Sequence, residues 1–291
     1  MVSMIVCVAN IAILLCTLSK SSQARVASFI TTTSSCLSRA SSPACNRHGL
    51  SSSSSSSDNM SSDNMESPSL PPIPPMKKRL FLVRHGEVIN PGGDRPVYYG
   101  ALDVPLSNLG ELEAKAAGDY LKNFDLQHVA ASPLTRAIFG GNEVIANQKD
   151  TGTELKIFAG FKELDRGAWC GKTKAEIGNE NMAKFDACDE SATPEGGESY
   201  ITLKKRVLIA RDELLEITEC GKASAIVSHL QVTRSMLSDA MGIKTEEMGA
   251  LLIATASVTC IDYDSVSGEQ TVHFQSFKPT AGLKKSVDYV N

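Results

Sequence analysis

The chain of 291 residues has little that would mark a metal centre, a disulfide framework, a nucleotide loop or a nucleic-acid surface. Its eight cysteines include no Cys-x-x-Cys pair, and Cys170, Cys188, Cys220 and Cys260 are widely scattered. Paired zinc ligands and disulfide scaffolds both need closer, patterned spacing. No cysteine has an arginine six positions on, which excludes a cysteine phosphatase. Residues 167–173, Gly-Ala-Trp-Cys-Gly-Lys-Thr, fall short of a P-loop, because only three residues separate the glycines and no strand feeds them. Basic excess is also missing: 33 acidic residues outnumber 29 basic ones. That balance argues against nucleic acid or anionic membrane as a partner, so any basic pocket must be local. No internal repeat is visible.

The N-terminal quarter reads as an address and a tether. Residues 4–18 are nearly all apolar, short of the roughly 20 needed to span a bilayer. Ser22-Gln23-Ala24 follows with small residues suited to signal-peptidase cleavage after Ala24, so residues 1–24 read as a signal-peptide-like segment. Residues 20–57 carry basic, Ser and Thr residues and no acidic one, a transit-like composition. Serine runs and the Pro-rich residues 67–75 complete a linker over residues 25–75 that cannot bury enough apolar surface to offset its ordering entropy. Together these segments resemble a two-part plastid presequence, with secretion or another organelle as the alternative.

Residues 76–291 change texture and read as one α/β domain. Apolar stretches at 77–83, 128–131, 155–158, 223–228, 251–262 and 270–277 are expected strands. Helices are expected after Ser107, from Pro133 to Ile145, over 199–219 and over 230–241. Glu111 and Glu113 fall in the first turns after Ser107, where the helix dipole favours anions. Residues 163–199 are Gly-rich and weakly periodic, the expectation being an irregular cap lobe. Alternating strands and helices predict a three-layer, mostly parallel doubly wound sheet with helices on both faces and an antiparallel closing hairpin.

The first strand carries the chemistry. Leu80-Phe81-Leu82-Val83 reads as fully buried and runs straight into Arg84-His85-Gly86-Glu87. Ligands of open α/β sheets sit at the carboxyl ends of strands, so a cation and a nucleophile arrive where a substrate binds. Three further segments follow in order: residues 131–137, Ala-Ser-Pro-Leu-Thr-Arg-Ala; residues 161–171, Phe-Lys-Glu-Leu-Asp-Arg-Gly-Ala-Trp-Cys-Gly; and Val227-Ser228-His229. Four such segments in this order resemble the histidine phosphatase superfamily, the phosphoglycerate mutase-like family, over about residues 78–277.

The resemblance implies a phosphoglycerate mutase-like fold and a phosphohistidine mechanism. His85 would be the nucleophile, Arg84 and Arg136 the phosphate clamps, Glu163 the general acid and His229 a stabiliser of the equatorial oxygens. Asp165 and Glu154 are rival carboxylates near Glu163. The chemistry explains the residue types, since a phosphate dianion repels nucleophiles until positive charge is supplied. Permanently charged arginine forks match phosphate oxygens, each worth about 4 kcal/mol at ~4 Å and an effective dielectric of ~20. No metal and no cofactor is called for.

Residues 99–107 resemble the loop before the family's first helix, which puts Tyr99 and Gly100 beside the substrate. Asn90 resembles a phosphate-contacting asparagine, although it lies one position closer to His85 than in the commonest pattern. Leu230 and Gln231 stand where the family often has two glycines. Glu163-Leu164-Asp165-Arg166-Gly167 fits the phosphatase branch better than the mutase branch. The expected activity is metal-independent hydrolysis of a small phosphorylated metabolite by a homodimer with no stable membrane association. A phosphomutase is the alternative, and a protein phosphatase or phospho-binding scaffold stands behind it.

Overall fold

The central strand β1 (Lys77–Arg84) is buried along its last six residues, as its uninterrupted apolar run requires. In the computed structural model, which describes residues 67–149 and 153–279, β1 lies inside a six-stranded sheet. The other strands are β2 (Leu126–Ala131), β3 (Leu155–Ile157), β4 (Ala223–Ser228), β5 (Val258–Asp264) and β6 (Gln270–Phe277). Their order is β3-β2-β4-β1-β5-β6. The β1–β4, β2–β4 and β2–β3 pairs are parallel, whereas β5 and β6 close the sheet antiparallel. The mostly parallel α/β architecture is as the alternation of elements predicts.

Side chains alternate across β1, so its two faces feed two cores. Leu80 and Leu82 join Leu203, Val207 and Leu214 of α5 (Tyr200–Ile217) and Met236 of α6 (Leu230–Ala240). Phe81 and Val83 join Ala117 and Leu121 of α1 (Asn108–Leu121) and Val144 of α2 (Thr135–Ala146). Two short helices, α3 (Lys174–Ile177) and α4 (Asn179–Asp186), lie between β3 and α5.

Several local expectations change. The region expected to be irregular carries α3, α4 and three-residue helical turns, packed around Trp169, Phe185 and Tyr200. Ring centroids there lie 5.1 Å apart for Trp169–Phe185 and 4.6 Å for Phe185–Tyr200. The second helix starts at Thr135 rather than Pro133, because Leu134 stays extended and Asp103 Oδ1 accepts from the Thr135 N–H (2.9 Å) and hydroxyl (2.8 Å). The strand expected from residue 251 begins only at Val258, since Ala256 has φ +49° and turns the chain out of register. Ser107 caps α1 as expected, accepting from Gly110 N–H at 3.0 Å. Glu113, in the first turns of α1, is fully buried.

Residues 67–75 have no regular structure but lie against the domain: Leu70 and Ile73 pack on the α1/α2-side core, and Arg79 donates to the Pro71 carbonyl at 3.0 Å. The expected signal, transit and serine-run segments, and with them the plastid expectation, fall in residues 1–66, outside the described residues.

Candidate active site

Strand register builds the centre of the site. Arg84 pairs with Ser228 across the parallel β1–β4 ladder, so His85 and His229 leave the sheet side by side. Their ring centroids are 5.1 Å apart with planes at 61°. Both rings are almost completely buried. Ala131 pairs with Val227 in turn, which brings Ser132 next to His229.

His85 is held in one orientation. Its Nδ1 lies 2.7 Å from the Gly86 carbonyl, which can only accept, so Nδ1 carries the proton. Nε2 is then an unprotonated nitrogen, and it has no hydrogen-bond partner among the described residues. Burial, reinforced by the positive charges of Arg136 and Arg84, holds the His85 pKa well below the usual histidine value. The ring is therefore neutral and nucleophilic at neutral pH. The turn beside it needs glycines: a Cβ on Gly86 would lie 2.1 Å from the Gly110 carbonyl oxygen, where the loop meets the first turn of α1.

The two arginines are fully buried and anchored by carbonyl groups. Arg84 Nη1 donates to Ile253 O at 2.7 Å. Arg136 donates from Nη1 to Leu102 O and from Nη2 to Gly100 O, both at 2.8 Å, and its Nε has no partner among the described residues. The Tyr99 ring lies 5.4 Å from the Arg136 guanidinium carbon. Tyr99 and Gly100, expected beside the substrate, thus seat Arg136. Gly100 has φ +43°, and a Cβ there would meet the Leu164 carbonyl oxygen at 2.4 Å.

His229 opens α6, and its Nε2 lies 2.6 Å from Ser132 Oγ. Ser132 Oγ already accepts from the Leu134 N–H at 3.3 Å. A hydroxyl has one hydrogen and two lone pairs, so it can serve Nε2 in either direction, and the tautomer in which it gives its hydrogen to Nε2 is the one with the His229 proton on Nδ1. Nδ1 has no partner among the described residues. Burial, then the positive charge of Arg136, lowers the His229 pKa well below normal.

Glu163 is buried, accepting from the Leu164 N–H at 2.7 Å and from the Gln231 N–H at 3.4 Å. The second contact ties the acid to the same helix start as His229, through a backbone group that Gln231 supplies as well as glycine would. Its rivals lie elsewhere: Glu154 is exposed, and exposed Asp165 accepts from the Gly167 N–H at 2.9 Å. Asn90 Oδ1 accepts from the Gly92 and Val97 N–H groups at 2.9 and 3.1 Å, and Nδ2 donates to Val97 O at 3.0 Å. These bonds tie residues 90–97 into a loop, so the contacts Asn90 makes among the described residues are structural.

Sequence reasoning missed two supports. Arg206 donates to the carbonyls of Gly160 (2.9 Å), Lys162 (2.7 Å) and Glu163 (3.2 Å) while paired with Glu198, clamping the segment that carries the acid. On a polar face of α5 it carried no local signal. Ser132 stood inside a recognised segment, but its role depends on a partner 97 residues away.

Known proteins resemble this arrangement. A family model for the histidine phosphatase superfamily (branch 1) matches residues 80–274. Fructose-2,6-bisphosphatase TIGAR B of Danio rerio is 33% identical over 128 residues, covering 44% of this chain and 49% of that protein. A glucosyl-3-phosphoglycerate phosphatase of Mycolicibacterium vanbaalenii is 27% identical over 182 residues, 60% of this chain and 79% of the relative. The chain spans about half the length of several curated relatives it matches, the Danio rerio protein among them. The solved structure of Bacillus stearothermophilus YhfR shares the fold, with TM-score 0.61 and 24% identity over 69% of this chain and 97% of that one. With the motif order, the sheet topology and a family match over most of the domain in agreement, the chain belongs to the histidine phosphatase superfamily.

Proposed function

We propose that the chain is a phosphomonoester hydrolase acting on a small phosphorylated metabolite through a phosphohistidine. The observation that carries this reading is His85, with Nδ1 committed to the Gly86 carbonyl and Nε2 without a partner among the described residues, in the positive field of buried Arg136 and Arg84. The Nε2 lone pair attacks phosphorus while the ester P–O bond breaks. Glu163 gives its proton to the departing alkoxide. Arg84, Arg136 and the His229 Nδ1–H hold the three oxygens whose charge is spread in the transition state. Water then attacks the phosphohistidine, Glu163 takes its proton, the P–N bond breaks and orthophosphate leaves. The names of the relatives, a fructose-2,6-bisphosphatase and a glucosyl-3-phosphoglycerate phosphatase, support a sugar or glycerate phosphate as substrate.

A phosphate-release screen over sugar phosphates, phosphoglycerates, nucleotides and phosphopeptides tests this, with release from a sugar phosphate or phosphoglycerate expected. Rapid isomerisation of 3-phosphoglycerate in the presence of a bisphosphoglycerate primer, without free phosphate, would replace hydrolase by mutase.

The Nδ1–H tautomer of His229 adds a second expectation. Ser132→Ala removes the hydroxyl that protonation of Nδ1 depends on, so kcat/KM for p-nitrophenyl phosphate should fall about 10- to 100-fold, the worth of one hydrogen bond to a charged group. An unchanged kcat/KM would mean that His229 does not act as an Nδ1 donor.

A further inference from the structure

One buried ion pair stands behind the nucleophile and belongs to none of the groups described above. Glu113, on α1, is fully buried, and Lys278, just past β6, is nearly so. The Lys278 ammonium makes a close contact with Glu113 Oε1 and donates to the Thr255 hydroxyl at 3.1 Å, while that hydroxyl donates to Glu113 Oε1 at 3.2 Å. The other carboxylate oxygen, Oε2, accepts the backbone N–H of Glu87 at 2.8 Å. Lys278 lies outside residues 80–274, the span the family model matches.

The Glu87 N–H and the Gly86 carbonyl are two ends of one peptide group. That group is planar, and in the trans form its N–H and C=O point in opposite directions. No cis peptide occurs among the described residues. Holding the N–H on Glu113 therefore aims the carbonyl oxygen the other way, at His85 Nδ1, where it accepts at 2.7 Å. An anionic acceptor on the N–H side also polarises the peptide and makes its carbonyl a better acceptor, as in any hydrogen-bonded chain. The flanking backbone is already fixed: His85 N–H donates to Ser228 O at 2.9 Å and Ala256 N–H to His85 O at 3.0 Å. The Gly86–Glu87 peptide is the remaining degree of freedom beside the ring, and Glu113 takes it up.

We propose that Glu113, charge-matched by Lys278, is a positioning residue for the nucleophile: it turns the Gly86–Glu87 peptide so that His85 keeps its proton on Nδ1 and its lone pair on Nε2. A lone buried carboxylate would be too costly for this task, which explains the lysine reaching in from the far end of the domain. The effect on rate rests on the hydrolase reading; the orientation of His85 does not.

Two double variants test it, since removing Lys278 alone would leave an uncompensated buried charge. Glu113→Leu with Lys278→Met removes both charges and the acceptor. Glu113→Gln with Lys278→Met removes the charges and keeps an acceptor oxygen. Replacing a buried pair by groups of similar volume leaves stability near its original value, so both should melt close to the unaltered protein. The Leu/Met form should lose at least about tenfold in kcat for p-nitrophenyl phosphate with KM within about threefold, the scale of a small misplacement of a reacting group. Its His85 Nδ1–H signal in nitrogen-edited NMR should broaden or vanish, and the Gln/Met form should recover both. If the Leu/Met form does not fold, Glu113→Met with Lys278→Met replaces it with a more adaptable filler. A folded acceptor-free variant with unaltered kcat and an unaltered His85 signal overturns the proposal. A protein that releases no phosphate, yet whose His85 signal still depends on residue 113, overturns the hydrolase reading and keeps this one.

Discussion

Replacing His85 by alanine is expected to lower phosphomonoester turnover by more than about 10⁴-fold while the domain stays folded. Removing the group that forms the covalent intermediate is among the costliest changes an active site can undergo, of order 10⁶ in a well-studied hydrolase. The backbone bonds of His85, to Ser228 O and from Ala256 N–H, do not depend on its side chain. Circular dichroism and melting should therefore match the unaltered protein, and acid-labile phosphoenzyme should be absent. Substantial phosphate release by His85→Ala would end the assignment. The pH dependence follows from the same residue. Because burial and the flanking arginines lower its pKa, the nucleophilic neutral ring prevails at every pH above that lowered value and is lost only as pH falls through it. After allowance for the substrate's own ionisation near pH ~6, kcat/KM should show no acid limb from His85 at the usual histidine pKa of about 6.5.

The second large effect is expected at Glu163 and depends on the leaving group. Glu163→Gln keeps an oxygen for the Leu164 N–H that Oε1 now accepts at 2.7 Å and gives up only the longer 3.4 Å contact of Oε2 with the Gln231 N–H, so the loop should hold. What is lost is the transferable proton, worth about 10²- to 10⁴-fold. An alkyl phosphate, whose alkoxide cannot leave unaided, should lose that factor in the first step. p-Nitrophenyl phosphate leaves without an acid, so phosphorylation of His85 should proceed and hydrolysis of the phosphoenzyme, now without a base, should become limiting. A burst of nitrophenol followed by a slow steady state, with phosphohistidine accumulating, is the signature. Equal losses for both substrates and no burst would move the acid–base role to another group, with Asp165 the first to test.

Much of this molecule was legible from the chain. The run Leu80-Phe81-Leu82-Val83 had to be a buried strand, and Arg84 and His85 at its end had to meet whatever the sheet binds. The order of the Arg136, Glu163 and His229 segments named the family before any coordinates. Elsewhere local pattern fell short of the fold. Pro133 looked like a helix start, but Asp103, thirty-two residues from Thr135, captures that N–H and sets the cap there. Residues 163–199 looked shapeless because their aromatic nucleus draws on Trp169, Phe185 and Tyr200, too far apart to leave a period. Glu113 reads only as an acid in the first turns of a helix, and its partner lies 165 residues away.

Composition, burial period and strand termini determined the fold class, because these are local properties, and the order of the segments carried the resemblance that implies His85 as nucleophile and Arg84 and Arg136 as phosphate clamps. Which nitrogen of His85 holds its proton was decided only by tertiary structure, since that proton follows the Gly86 carbonyl beside the ring. Tertiary structure likewise buried Glu163, left Asp165 exposed and set Tyr99 and Gly100 against Arg136. A hydrogen bond depends on angstrom-scale distance and direction between groups far apart in the chain, and no spacing of residue types encodes that.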